Sequence, residues 1–326
     1  MHQPMNLTDA SHPIPPDMAA VREAHRRISP RIHRTPVLTC ASLDQMAGAR
    51  IYFKCENLQK TGSFKIRGAS NAVFSLSEEE AKRGVAAPSS GNHAAALSLA
   101  ARWRGIPAYI VMPSNSSAAK KRAVEAYGGQ ITECEPNIAA REQVTSEVLH
   151  RTGAHLVHPY NDSRVIAGQG TAALELLEDI PDLDVIIAPV SGGGLLSGTA
   201  IAAKSVRPGI HVAGGEPRNA DDASRSLSSG KIEPASPLET MADGLRAVLC
   251  PLTFSILRAR LDQIATVSEE EIVTAMLLLW ERLKLVVEPS GAVAAAPVFL
   301  RRLNAAGKKI GVILSGGNLD LRALPF

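Results

Sequence analysis

Residues 185–198 read VIIAPVSGGGLLSG: an unbroken apolar run, a serine with three glycines, and then the start of a helical pattern. A strand that is apolar throughout is covered on both faces, as happens where helices lie over each side of a parallel sheet. Two other runs are built alike, VAAPSSGNH at 85–93 and IGVILSGGN at 310–318. Working outward, runs at 50–55, 84–88, 108–112, 130–133, 185–190, 211–214 and 309–314 read as strands. Helical periodicity falls at 18–28, 65–76, 93–103, 117–127, 138–152, 168–179, 195–205 and 269–282. The alternation predicts an α/β fold with doubly wound sheets. Ligands bind beyond the carboxyl ends of such strands, where loop N–H groups and helix N-termini face a crevice. The three Ser/Gly loops are therefore expected to converge on one ligand.

A chain of 326 residues, 45% hydrophobic, is long enough for two domains. Its 35 basic and 32 acidic residues are intermixed, so no basic stripe points to nucleic acid or an acidic membrane, and a small-molecule partner is expected. Cys40, Cys55, Cys134 and Cys250 lack C-x-x-C spacing, which argues against zinc and against a secreted disulfide framework and favours the cytoplasm. The opening MHQPMNLTDASHPIPPDM has no apolar core of signal-peptide type and reads as a loose arm. No run reaches the roughly 18 apolar residues of a membrane span.

The densest chemical signal is KCENLQKTGSFKIRGA at 54–69. Gly62-Ser63 reads as a helix N-cap, which puts Lys65 in the first turn. There the helix dipole disfavours an ammonium, and Phe64 and Ile66 desolvate it, as suits a lysine used for Schiff-base chemistry. A snorkelling surface lysine is the competing reading, and it is the one taken for Lys54 and Lys60.

In this order, S-F-K-I-R-G-A, S-S-G-N-H, S-G-G-G-L and S-G-G-N resemble the fold-type II pyridoxal-phosphate enzymes, in the branch of threonine dehydratase and serine racemase. The resemblance covers nearly everything after residue 20. It implies two α/β domains of the tryptophan synthase β-like type with the cofactor in the cleft between them. Residues 1–77 plus 156–326 would form the large domain and 78–155 a small one closing over substrate. A homodimer is implied too. Little follows S-G-G-N, so no appended regulatory domain is expected.

Residue by residue, the resemblance makes Lys65 the Schiff-base lysine, packs Phe64 on the pyridine ring, and has Ser191, Gly192, Gly193, Gly194 and Leu195 cradle the phosphate. Asn92 would bond the ring oxygen and Ser315 the pyridine nitrogen, with Glu288 beside the ring. Ser89, Ser90, Gly91, Asn92 and His93 would grip the substrate carboxylate, and Ser90 matches the serine that acts on the opposite face in racemases. Ala94 and Ala95 depart from the pattern, which usually has glycine and a polar residue there. Arg141, beside Glu142, would meet a second substrate carboxylate. Glu216, the Ala220 carbonyl and Asp222 would bind Mg²⁺, Ca²⁺ or Mn²⁺. Plainer readings stand beside these: a core phenylalanine, a tight turn, capping residues at Ser90 and Glu288, a turn serine at 315, an exposed Arg-Glu pair and a solvated acidic loop.

The implied reaction is dehydration and deamination of threonine, serine or 3-hydroxyaspartate with Lys65 as base; racemisation follows if Ser90 returns a proton from the other face. Two readings of other kinds compete. Gly192-x-Gly194-x-x-Ser197 imitates a dinucleotide-binding unit with serine at the third glycine, and the scaffold could merely bind an amino acid.

Overall fold

A computed structural model describes residues 14–304, 306–322 and 324, so most of the expected N-terminal arm, residues 1–13, lies outside the described residues. The strands are β1 (Val37–Leu38), β2 (Arg50–Cys55), β3 (Val85–Pro88), β4 (Ala108–Pro113), β5 (Gly129–Cys134), β6 (His155–Leu156), β7 (Val185–Pro189), β8 (His211–Pro217), β9 (Gln263–Val267) and β10 (Lys309–Leu314). They make one sheet in the order β1-β2-β10-β7-β8-β9 and a second in the order β5-β4-β3-β6. Every pairing is parallel except that of β1 with β2.

The unbroken apolar runs have the cause expected of them. On β7, Val185 and Ile187 enter the core on one face of the large sheet while Ile186 and Ala188 enter the core on the other. β10 does the same with Ile310, Val312 and Leu314 against Ile313. In the small sheet Ile110 and Met112 face one core and Val111 the other. Because β10 lies between β2 and β7, the loops leaving these three strands are neighbours at one carboxyl edge.

Several expectations need correction. The helix placed at 168–179 is Ser163–Asp179, started five residues earlier by the Asp162 carboxylate, which accepts the Arg164 N–H at 2.8 Å. Its Gly168 is no break but a crossing point: a Cβ there would lie 2.7 Å from the Arg67 carbonyl oxygen. The helix at 269–282 is α-helical only over Glu269–Leu278 and continues as a π turn, Leu279–Leu283. Among the elements missed were β1, β6 and β9, all on sheet edges, and the helices Ala41–Ala47, Glu78–Lys82, Asp222–Ser229, Pro251–Arg260, Pro289–Ala292 and Ala296–Phe299. Lys54 is no snorkelling surface lysine. It is fully buried, its Nζ donating to Glu175 Oε2 at 2.6 Å and to the Thr35 carbonyl at 2.8 Å. Among the described residues, no helix is long and apolar enough to cross a membrane.

Candidate active site

Lys65 opens the helix Lys65–Phe74, but Gly62-Ser63 is not its cap. Ser63 is extended (φ −161°, ψ 162°) and forms a bridge with Gly316, and Phe64 stands at the N-cap position without a side-chain cap bond. The Phe64 N–H donates to the Ser315 carbonyl at 3.0 Å and the Gly317 N–H to the Gly62 carbonyl at 2.9 Å. The chain entering the lysine helix is thus stitched to the loop leaving β10. Lys65 Nζ lies 5.0 Å from the Phe64 ring centroid. Desolvation brings its pKa down to about 8, against the opposing pull of Glu288.

The 89–93 loop meets the same edge from the small sheet. Asn92 Nδ2 donates to Glu288 Oε1 at 2.9 Å, and Asn92 Oδ1 accepts from Asn318 Nδ2 at 2.9 Å. Asn318 also donates to the Thr61 carbonyl at 2.7 Å. Glu288 is almost wholly buried, and desolvation, with Asp243 adding repulsion, pushes its carboxyl up to about 8. It occupies an N-cap position without a side-chain cap bond, and the next helix along from Ser90 is capped by Gly91, so neither residue is there as a capping side chain. His93 Nε2 lies 2.9 Å from the Val157 carbonyl, which fixes the proton on Nε2. Burial and then Lys65 hold its pKa down to about 3, so the ring is neutral.

In the glycine loop, Gly193 has φ +84°, a left-handed backbone, and the helix Gly194–Val206 follows with its N–H groups at the strand edge. A Cβ on Gly192 would sit 2.4 Å from the Tyr160 ring, and one on Gly194 would sit 2.9 Å from Tyr160 Cβ, so no side chain fits between loop and ring. Ser191 Oγ accepts the Ala247 N–H at 3.3 Å. Ser315 is buried, its Oγ 3.5 Å from the Ser290 carbonyl.

Arg141 is half-buried on the helix Ile138–Thr152, and Glu142 beside it is exposed. Glu216, near the end of β8, and Ala220 and Asp222, on the turn and helix that follow, are all buried. Both Glu216 oxygens accept N–H groups, from Ala223 and Ser224 at 2.9 Å, while Asp222 Oδ2 is buried without a partner. Burial raises the carboxyl of Glu216 to about 8 and that of Asp222 to about 6. Among the described residues, no group of three or more His, Cys, Asp or Glu side chains could hold a metal ion.

The segment HPYND, 158–162, was missed. His158 Nδ1 accepts the N–H groups of Asn161 and Tyr160 at 2.8 and 3.3 Å, and its ring meets Tyr160 edge-on at 4.6 Å. A run of turn-forming residues carrying His and Tyr, following a strand in a parallel sheet, was the available signal. Asn318 was quoted inside S-G-G-N but given no role.

The model of a protein family described as "pyridoxal-phosphate dependent enzyme" matches residues 28–316. The chain belongs to that family. It is 52% identical to a serine racemase of Arabidopsis thaliana, over 94% of this chain and 95% of the relative. It is 49% identical to a beta-hydroxyaspartate dehydratase of Paracoccus denitrificans, over 93% and 96%. The solved structure of maize serine racemase superposes with a TM-score of 0.93 at 48% identity, covering 95% of each chain. The chain is thus a pyridoxal-phosphate-dependent enzyme of fold type II, in the racemase and dehydratase branch, and the dinucleotide reading falls away. Its residues suit the cofactor. Thr61 Oγ1, Ser63 Oγ, His93 Nδ1 and Asn161 Oδ1, all on segments beside Lys65, are buried polar atoms without a protein partner, and the glycine loop offers N–H groups at a helix start.

Proposed function

We propose that this enzyme deaminates a small β-hydroxy amino acid by way of a dehydration, giving a 2-oxo acid and ammonia, with Lys65 as the base. The observation that carries the reading is the placement of Lys65, at the start of a helix stitched to the loop leaving β10 and beside the unpartnered Ser63 and His93 atoms, where burial also lowers its pKa so that its amine can take a proton. Pyridoxal phosphate, when bound, supplies the electron sink for the pair left at the substrate Cα. Lys65 would carry it, Ser191 to Leu195 would hold its phosphate through N–H groups, and Phe64, Asn92, Glu288 and Ser315 would surround its ring. Ser89, Ser90, Gly91, Asn92 and His93 would hold the substrate carboxylate, the neutral His93 adding no charge. Lys65 Nζ would take the Cα proton and, as an ammonium, give one to the β-hydroxyl, which would leave as water; the enamine, once released, tautomerises to an imine whose hydrolysis takes one water back, so the net loss is ammonia. The division into domains 1–77 plus 156–326 and 78–155, a cytoplasmic homodimer without nucleic acid, and a divalent cation on Glu216, Asp222 and the Ala220 carbonyl belong to the same proposal. The unpartnered Asp222 oxygen supports the cation.

Racemisation of serine is a second reading of the same site, favoured by the names of the relatives. It adds one demand, that Ser90 exchange a proton on the face opposite Lys65. A substrate with a second carboxylate is favoured by Arg141 and by the Paracoccus relative. One experiment sorts these: wild type and Lys65→Ala are incubated with L- and D-serine, threonine and 3-hydroxyaspartate, and 2-oxo acid and enantiomer are both measured. Oxo acid outrunning enantiomer supports elimination; enantiomer without oxo acid overturns it. Arg141→Lys is expected to raise KM for 3-hydroxyaspartate about tenfold and to spare serine.

A further inference from the structure

Two residues beyond Lys65, Arg67 is fully buried in a centre of four charges, Lys54, Glu56, Arg67 and Glu175, with side-chain exposures between 0 and 2%. All five N–H donors of its guanidinium are used. Nε and Nη2 reach Glu56 at 2.7 and 2.8 Å, Nη1 and Nη2 reach Glu175 at 2.9 and 2.8 Å, and Nη1 reaches Thr171 Oγ1 at 3.1 Å. Thr35 Oγ1 donates to Glu56 Oε1 at 2.6 Å, and Lys54 donates to the second oxygen of Glu175. The two cations and two anions cancel.

Such a centre is a poor way to gain stability, because desolvating four ions offsets most of their attraction and apolar residues of equal volume often do as well. What it supplies is direction. Arg67 presents a rigid fork to two carboxylates on different elements, the turn after β2 and the helix Ser163–Asp179. That helix packs closely on the lysine helix: the Gly68 N–H donates to the Gln169 side chain, at Oε1, at 3.0 Å, and a Cβ at Gly168 would lie 2.7 Å from both the Arg67 carbonyl oxygen and Gly68 Cα. Upstream of Lys65, the Ser63–Gly316 bridge fixes the chain; downstream, Arg67 fixes the first turn about its axis. Without that second hold the helix keeps its burial but loses its rotational setting.

We propose that Arg67, held by Glu56 and Glu175, is a positioning residue that sets where Lys65 Nζ is presented to the aldehyde carbon of the cofactor and to the substrate Cα. The inference rests on Lys65 being the cofactor-bearing lysine. A displacement of about 1 Å at a reacting atom costs on the order of 10²-fold in rate, so a loosened fork is read in chemistry before it is read in binding.

The test separates capture by Lys65 from occupancy of the cleft. The apoproteins of wild type, Arg67→Lys and Glu175→Gln are titrated with pyridoxal phosphate, following the visible band that reports bonding to lysine. They are titrated in parallel with 4′-deoxypyridoxine 5′-phosphate, which has no aldehyde and can only dock. The expected result is a band that forms at least tenfold more slowly in the variants, with Kd for the deoxy compound within twofold of wild type. If both fall together, the centre is merely structural; if neither changes in the variants that fold, it does not act on Lys65; either overturns the proposal. Thr171→Val, which removes one of the five bonds, carries the comparison if the charge variants do not fold. A wild type that docks the deoxy compound but shows no band defeats the assignment of Lys65 instead, so the two failures are distinguishable.

Discussion

Gly192→Ala tests the phosphate cradle through one contact. A methyl at this position would lie 2.4 Å from both Cδ1 and Cε1 of Tyr160 and 2.5 Å from Cγ. Carbon atoms rest at about 3.5–4.0 Å, so ring or loop must move by about 1 Å. The ring is held: His158 meets its face edge-on at 4.6 Å, and the Cβ direction of Gly194 closes on Tyr160 Cβ at 2.9 Å. Overpacking of this kind costs about 1–3 kcal/mol. If the loop yields and the strain is relieved only in the empty protein, the whole of it weakens pyridoxal phosphate binding, by roughly 5- to 150-fold. The assay is a titration of apoprotein with the cofactor for wild type, Gly192→Ala, Tyr160→Ala and the double variant, read as a double-mutant cycle. The penalty should be largely relieved once Tyr160 is truncated. Gly193→Ala serves as contrast, because its cost comes from a left-handed backbone at φ +84° and from Leu249 and Thr253, each 2.8 Å from the added Cβ, and should persist in the Tyr160→Ala background. A Gly192→Ala protein that binds like wild type, or a penalty untouched by Tyr160→Ala, would refute the steric reasoning.

Three other outcomes follow from charges in and around the cleft. The rate at which apoprotein captures pyridoxal phosphate should rise with pH to a midpoint near 8, where the Lys65 amine becomes free; a midpoint near 10.5 would show an unperturbed lysine. Glu288, with its folded pKa raised to about 8 from 4.5, holds a proton in the native state that the unfolded chain has lost, so its contribution to stability is complete below pH 4.5 and disappears as pH rises to 8. The Tm advantage of wild-type apoprotein over Glu288→Gln should accordingly shrink from pH 5 to pH 8, and a constant difference would mean that the carboxyl is ionised throughout. Millimolar Mg²⁺, Ca²⁺ or Mn²⁺ should raise the Tm of wild type by several degrees and leave Asp222→Asn unmoved; an equal rise in both would place the cation elsewhere.

What was legible in the sequence, and what was not, divides along a physical line. β7 and the body of β10 were readable because a strand covered on both faces is apolar along its length, and local composition records that directly. The glycine loop was readable because a left-handed residue at 193 and the absence of room beside Tyr160 both demand glycine. β6 and β9 were not, since two or five residues along a sheet edge take their structure from a partner strand rather than from their own pattern. Lys54 shows the same limit more sharply. Nothing within KCENL distinguishes a surface lysine from a buried one; the difference lies in Glu175, 121 positions away, whose carboxylate makes burial tolerable. Glu175 in turn sits on a helix whose start was placed five residues late, at Gly168; Gly168 and Gly170 lie within it, where other backbones press closest, at Arg67 and at Gly198. Glu175 was placed on that helix all the same, but nothing local paired it with Lys54 or Arg67, so the charged centre beside Lys65 stayed hidden. The residues proposed to touch the reacting atoms carry local signatures, because loops must form around them; those proposed to aim the lysine are specified only by contacts between distant parts of the chain, and these the three-dimensional arrangement supplies.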